Sequence, residues 1–100
     1  MTKKYDAIMV GGGVMGCATA YYLMKKAPQL KVAIIEKDPT YEFNSSVLSD
    51  ANIRLQFNIK ENIRISQYGL EMLKTFADDM EVDGVKPDIA FRHQGNLFMA

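Results

Sequence analysis

The first 36 residues contain two short apolar runs separated by a stretch with helical periodicity. Residues 7–10 read Ala-Ile-Met-Val and residues 31–36 read Lys-Val-Ala-Ile-Ile-Glu. Continuous runs of this kind are typical of strands that are buried on both faces of a parallel sheet. Apolar residues at the spacing of one helix face lie between them, at Val14, Cys17, Ala18 and Tyr21. The pattern predicts a strand, a helix and a parallel second strand, joined as one βαβ unit.

The first helix has a predicted end and a predicted packed face. Lys25 and Lys26 suit a last turn, because cations are favourable at a helix C-terminus, and Pro28 cannot continue the helix. Cys17 falls on the apolar face, so we expect it to be a small buried thiol.

A long polar stretch, residues 38–57, separates this unit from a second helix. The sequence Asn58-x-x-Glu61 resembles a capping box and predicts a helix start near Asn58. Polar residues then recur at alternating spacings of four and three, at Lys60, Arg64, Gln67, Glu71, Lys74 and Asp78. The remaining apolar surface is wide, and we expect neighbours on more than one side of it.

The last apolar segments predict a β-hairpin. Residues 89–92 read Ile-Ala-Phe-Arg, residues 97–100 read Leu-Phe-Met-Ala, and Gly95-Asn96 lies between them.

Composition excludes several classes of function. Twelve basic and twelve acidic residues give zero net charge, which does not favour nucleic acid or anionic lipid as a partner. One cysteine excludes an intramolecular disulfide, and no apolar run approaches the roughly 18 residues of a membrane span. The N-terminus lacks the apolar region of a signal peptide, so we expect a cytoplasmic protein.

The sequence does not indicate a catalytic residue. His93 is the only histidine and has no second ligand type arranged around it, so we expect no metal site. We find no Ser-His-Asp, Cys-His or paired-carboxylate arrangement.

The candidate chemistry lies in the turn after the first strand, where four of the seven glycines fall within residues 11–16. In the motif Gly11-x-Gly13-x-x-Gly16, the first glycine permits a tight turn, the second allows a pyrophosphate to approach, and the third allows close packing of helix on strand. Amides of the first helical turn, near Val14 and Met15, are the expected phosphate donors.

Glu36 is the expected ribose ligand. It lies 20 residues after Gly16, at the end of the second strand, where a carboxylate can accept hydrogen bonds from both ribose hydroxyls. The same charge would repel a 2′-phosphate, which disfavours NADP. The spacing alone leaves FAD and NAD open.

Residues 6–20 and 32–37 resemble the opening of FAD-dependent oxidoreductases of the D-amino-acid oxidase family. Ala20, four residues after Gly16, matches the flavoprotein form of the motif. The segment from Ser45 to Phe57, with Ser-Ser at its start and Asn-Ile-Arg-Leu-Gln-Phe at its end, resembles sarcosine oxidase-like members. The resemblance extends over essentially all 100 residues. It implies a Rossmann-like FAD/NAD(P)-binding α/β fold and FAD as the cofactor.

The resemblance also implies roles for individual residues. Ser45 and Ser46 match hydroxyl residues that contact the pyrophosphate or adenosine side of FAD, and Lys37 would border the adenine. Ala51 and Asn52 match positions where the backbone runs close to the flavin ring, and Arg54 matches an arginine near the flavin.

Members of this family are several times longer, so we expect residues 1–88 to be the N-terminal part of an FAD-binding domain with an incomplete parallel sheet. Residues 89–100 would begin a substrate domain. The implied activity is oxidation of a C–N bond in a small amine or amino acid, with the chain alone inactive as a fragment. An NAD-binding dehydrogenase domain and a non-catalytic subunit that docks on a partner chain remain alternatives.

Overall fold

A computed structural model describes residues 2–99, which contain two strands and two helices. In chain order these are β1 (Ala7–Val10), α1 (Val14–Lys26), β2 (Val32–Ile35) and α2 (Lys60–Asp79). The chain divides into two compact units, the first ending at Asn52 and the second beginning at Ile53. None of the helices in this described part is long and apolar enough to cross a membrane.

The first unit contains the predicted βαβ arrangement. Strands β1 and β2 pair in parallel, with Ala7 opposite Val32 and Val10 opposite Ile35. The pairing extends beyond both strands, because the Asp6 amide donates to the Lys31 carbonyl and the Gly11 amide donates to the Ile35 carbonyl, at 2.9 and 2.7 Å. The second strand is one residue shorter at each end than the predicted run.

The expectation that both faces of the sheet are buried is wrong for this chain. Helix α1 packs on both strands, and its Ala20 is buried with 5% of its surface exposed. Val10, however, is 87% exposed and Ile35 is 55% exposed. In residues 2–52, α1 is the sole helix, so it covers one face of the sheet and leaves apolar side chains of the other face accessible.

Helix α1 ends as predicted, but Cys17 does not lie where the periodicity placed it. Lys25 and Lys26 occupy the last turn, and the Ala27 amide closes the helix on the Leu23 carbonyl. Cys17 is exposed. Its Sγ donates to the Gly12 carbonyl at 3.1 Å, so the thiol turns back toward the glycine turn instead of packing on the sheet.

Helix α2 is confirmed, with a correction at its start. It begins at Lys60 with Ile59 as the N-cap and no side-chain cap, so the predicted capping box at Asn58 is wrong. All six residues of the predicted polar stripe are exposed. The apolar residues on the opposite side of α2 are at most half-buried, because no residue of this helix is fully buried. Ile65 remains 68% exposed.

The predicted hairpin is wrong within the described residues, because residues 86–99 contain neither helix nor strand; residue 100 lies outside them. Ala90 has a φ of 50°, and its amide donates to the Asp88 carboxylate at 2.8 Å. This local turn interrupts the extended run, as short polar side chains often do. A lone two-stranded hairpin is also marginally stable in water.

Candidate functional site

The glycine turn connects β1 to α1 and begins with a residue that only glycine suits. Gly11 has a φ of +105°, and a Cβ added there would meet nothing within 4 Å. Glycine is therefore required at this position for its backbone conformation and not for lack of space, as expected for the tight turn.

Gly16 is required for a different reason. A Cβ at Gly16 would collide with the carbonyl oxygen of Gly11. The close approach predicted for this glycine is thus made to the turn that follows β1, and it sets where the first turn of α1 lies.

Gly13 is the N-cap of α1, and this end of the helix carries no side-chain cap and no acidic residue in its first turn. The first amides of a helix have no partner within the helix, so they remain suited to an anion. Val14 and Met15, the predicted phosphate donors, lie in this turn with side chains 64% and 78% exposed.

Glu36 lies directly after β2 and holds the glycine turn through its carboxylate. Oε2 accepts from the Gly12 amide at 2.7 Å and Oε1 accepts from the Asp38 amide at 2.9 Å. These bonds, with that of Asp38 the larger cause and that of Gly12 next, lower the pKa of Glu36. The carboxylate is therefore held as an anion.

The loop after β2 adds a second carboxylate. The Thr40 hydroxyl donates to Asp38 Oδ1 at 2.6 Å and the Thr40 amide donates to the same oxygen at 3.0 Å. Both bonds lower the pKa of Asp38, the hydroxyl more than the amide.

A groove of about 400 Å³ lies at this end of the strands. Five of the predicted site residues line it: Gly11, Gly13, Glu36, Lys37 and Ser45. The sequence analysis did not assign the other lining residues, which are Val10, Ile35, Asp38, Tyr41, Phe43 and Asn44. Two aromatic residues within a polar loop were a usable signal for Tyr41 and Phe43. Nothing in the spacing indicated Asn44.

Ser46 and Ala51, both predicted site residues, do not line this groove. The Ser46 amide donates to the Asn44 side chain at 2.9 Å. Ala51 has a φ of 51°, and its amide donates to the Ser49 hydroxyl at 3.1 Å. Asn52 is the last residue of the first unit.

Arg54 belongs to the second unit, where it lines a separate cavity with Gln56, Phe57, Asn58, Ile59, Asn62 and Phe98. Its guanidinium lies 4.8 Å from the ring centre of Phe57 and 5.7 Å from that of Phe98.

The first turn of α1 and the groove that contains its N-cap suit the adenosine diphosphate part of a dinucleotide. The uncapped amides of Val14 and Met15, which are not among the groove-lining residues, match a phosphate, and the ionised carboxylate of Glu36 in the groove matches ribose hydroxyls. In residues 2–99 no group of three or more His, Cys, Asp or Glu side chains could hold a metal ion.

Comparison with known proteins agrees with this chemistry. Residues 6–100 match the DAO family, described as FAD dependent oxidoreductase. The chain is 40% identical over 98% of its length to FAD-dependent oxidoreductase domain-containing protein 1 of Xenopus laevis, and it spans 20% of that protein. It is 33% identical over 97% of its length to the mitochondrial L-2-hydroxyglutarate dehydrogenase of Caenorhabditis elegans, spanning 22% of that protein.

A third relative, malate:quinone oxidoreductase of Helicobacter pylori, is 32% identical over 68% of this chain, which spans 17% of it. The chain thus covers about a fifth of the length of these curated relatives. No solved structure shows significant similarity. The βαβ unit and the glycine turn form part of an incomplete Rossmann-like α/β fold, and the cofactor is FAD. The family match agrees with both, and the chain belongs to the FAD-dependent oxidoreductases of the DAO family.

Proposed function

We propose that this chain binds the adenosine diphosphate half of FAD in the groove between the glycine turn and the loop after β2. The observation that carries the proposal is the bond from the Gly12 amide to Glu36, which holds the glycine turn and the carboxylate side by side at one edge of the sheet.

Each part of the groove has a role in this proposal. Glu36 accepts hydrogen bonds from the ribose hydroxyls, and the amides of Val14 and Met15 hold phosphate oxygens. Because Gly11 and Gly13 have no side chains, the phosphates can approach the backbone of the glycine turn. Lys37 borders the adenine.

The residues after the groove are proposed to serve the rest of the cofactor. Ser45 and Ser46 contact the pyrophosphate or adenosine side. Ala51 and Asn52 place backbone close to the flavin ring, and the Arg54 cation stabilises negative charge on it. When bound, the flavin would supply a hydride acceptor, and the residues proposed here would hold and orient it.

Two substrate classes are proposed, in order of preference. The resemblance to sarcosine oxidase-like enzymes favours a C–N bond of an amine or amino acid. The names of two relatives, for L-2-hydroxyglutarate and malate, favour the C–OH group of a 2-hydroxy acid as the second candidate. The two substrate classes are distinguished by a dye-reduction assay with sarcosine, glycine, 2-hydroxyglutarate and malate. The assay combines this chain with a polypeptide that corresponds to the other four fifths of a relative.

The 100-residue chain alone is proposed to be inactive, because the proposed roles of its residues are all in cofactor binding. Residues 1–88 are proposed as part of the FAD-binding domain and 89–100 as the start of a substrate domain. Docking on a partner chain that completes the fold is the alternative to a simple fragment, and the exposed sheet residues Val10 and Ile35 are consistent with it. A cytoplasmic location stays a prediction, since one relative is named as mitochondrial.

The binding proposal is tested by titrating the full 100-residue chain with ADP and with FAD in a calorimeter. We expect binding of both, and weaker binding of adenosine 2′,5′-bisphosphate because of the Glu36 charge. Gly13→Val fills the groove and abolishes binding. Gly95→Val is the matched control, because a Cβ there meets nothing within 4 Å. Equal binding by wild type and Gly13→Val would contradict the proposed site.

A further inference from the structure

Asn44 is a groove residue that no motif indicated, and the loop holds it firmly. Its amide donates to the Tyr41 carbonyl at 3.0 Å, and its carbonyl accepts from the Leu48 amide at 3.0 Å. Its side-chain Oδ1 accepts from the Ser46 amide at 2.9 Å. The residue is half-buried.

The bond to Ser46 fixes which way the side-chain amide faces. A backbone N–H can only donate, so the atom opposite Ser46 must be the oxygen. The Nδ2 group, with its two donors, is therefore on the other side, where it lies 3.0 Å from the position that a Cβ of Gly13 would take. Asn44 thus presents donors to the glycine that caps α1.

The groove contains both acceptors and donors. Glu36 and Asp38, which follow β2, supply carboxylates, while Asn44 Nδ2 lies against Gly13, the N-cap of α1. Ribose hydroxyls can donate to carboxylates, whereas phosphate oxygens are repelled by them and need donors. The diphosphate oxygens of a nucleotide in the groove therefore match Asn44 Nδ2, and its ribose hydroxyls match the carboxylates.

We propose that Asn44 is a further cofactor-contacting residue, whose Nδ2 group donates a hydrogen bond to a diphosphate oxygen of the nucleotide in the groove. This inference rests on the proposed function, because it assigns an additional donor to the same site.

The substitution Asn44→Asp tests the inference sharply. It keeps an oxygen that accepts from the Ser46 amide, so the loop is retained, but it replaces the NH₂ donor with an anionic oxygen. Asn44→Ser is the second variant, because a hydroxyl can still accept from the Ser46 amide while adding no charge. Gln67→Glu makes the same change from amide to carboxylate at an exposed position of α2 that lines neither cavity, and it serves as the control.

Dissociation constants for ADP and for adenosine are measured on the full chain and the three variants, by calorimetry or by NMR titration at fixed ionic strength. We expect Asn44→Asp to weaken ADP at least about 10-fold, as for the loss of one charge-assisted bond plus repulsion. Adenosine should stay within about 2-fold, because it has no phosphate. Asn44→Ser should weaken ADP binding by a smaller factor, and Gln67→Glu should change neither dissociation constant.

The possible results separate the two proposals. If the wild type binds ADP while both Asn44 variants bind it equally well, the role of Asn44 is wrong and the proposed groove stands. Equal losses for ADP and adenosine would also overturn it, since they would indicate a structural role. If the wild type does not bind ADP, both proposals are overturned together.

Discussion

The Glu36 carboxylate accepts a hydrogen bond from the backbone amide of Gly12, with 2.7 Å between Oε2 and the nitrogen. The bond joins the end of β2 to the turn that follows β1, so the carboxylate that would bind a ribose also supports the turn that would bind its phosphates. Gly12 is buried, and its amide would otherwise lack an acceptor. The charge on Glu36 therefore stabilises the site before any nucleotide enters it.

The first prediction concerns pH. The Asp38 and Gly12 amides lower the pKa of folded Glu36 below its ordinary value of 4.5. A group with a depressed folded pKa contributes stability that is present above the unfolded pKa and is lost as the pH falls through the folded pKa. The stability advantage of wild type over Glu36→Gln should therefore be full near neutral pH and should decline below about pH 4.5.

This dependence is measured by urea unfolding from pH 3 to pH 7, with the Gly12 and Asp38 amide resonances followed by NMR in parallel. Glu42→Gln is the control, because Glu42 is an exposed carboxylate of the same loop that does not line the groove. A difference between wild type and Glu36→Gln that is constant with pH would contradict the role of the charge.

The second prediction compares the two helical glycines. Gly16→Ala should destabilise the chain by about 1–3 kcal/mol, because its Cβ would collide with the Gly11 carbonyl. Gly69→Ala should stabilise it by about 0.5–1 kcal/mol, because a Cβ there meets nothing within 4 Å and alanine is the better helix former. Far-UV circular dichroism during denaturation follows both helices, α1 with Gly16 and α2 with Gly69. Equal effects of the two substitutions would refute the close approach at Gly16.

The βαβ unit could be predicted because each of its signals is local. The residues from Ala7 to Val10, the switch to helical spacing at Val14 and the basic end at Lys26 depend on neighbouring positions only. Burial could not be predicted in the same way, since it depends on which other elements cover the sheet. The exposed Val10 and the missing hairpin at residues 89–99 both show an apolar pattern whose covering partner is not among the described elements.

The third prediction concerns Gly12, which the motif leaves unspecified. A Cβ at Gly12 would lie 2.9 Å from the Tyr41 hydroxyl and 3.2 Å from Glu36 Cβ. We expect Gly12→Ala to be destabilising and Tyr41→Phe to relieve part of that cost, with a favourable coupling of about 0.5–1 kcal/mol in a double-mutant cycle. Full additivity of the two substitutions would show that the hydroxyl does not limit the space at Gly12.

The candidate site was predictable to the extent that it follows from backbone chemistry. Gly11, Gly13 and Glu36 could be assigned because a left-handed turn, a helix N-cap and a carboxylate at a strand end each impose a residue type. Asn44 could not be, because it reaches the groove through a loop of successive turns whose path depends on side-chain bonds such as those of Asp38 and of Asn44 itself. No periodicity encodes such a path.

The last prediction tests the uncovered face of the sheet with one substitution at two positions. Val10→Thr should change stability by less than about 0.5 kcal/mol, because Val10 is 87% exposed. Val32→Thr should cost about 1–2 kcal/mol, because Val32 is half-buried and its added hydroxyl would lose water. Both strands belong to the same parallel pair, and the substitution is identical, so strand propensity cancels in the comparison. Thermal unfolding of the two variants measures the difference, and a cost at Val10 equal to that at Val32 would mean that this face is covered in solution.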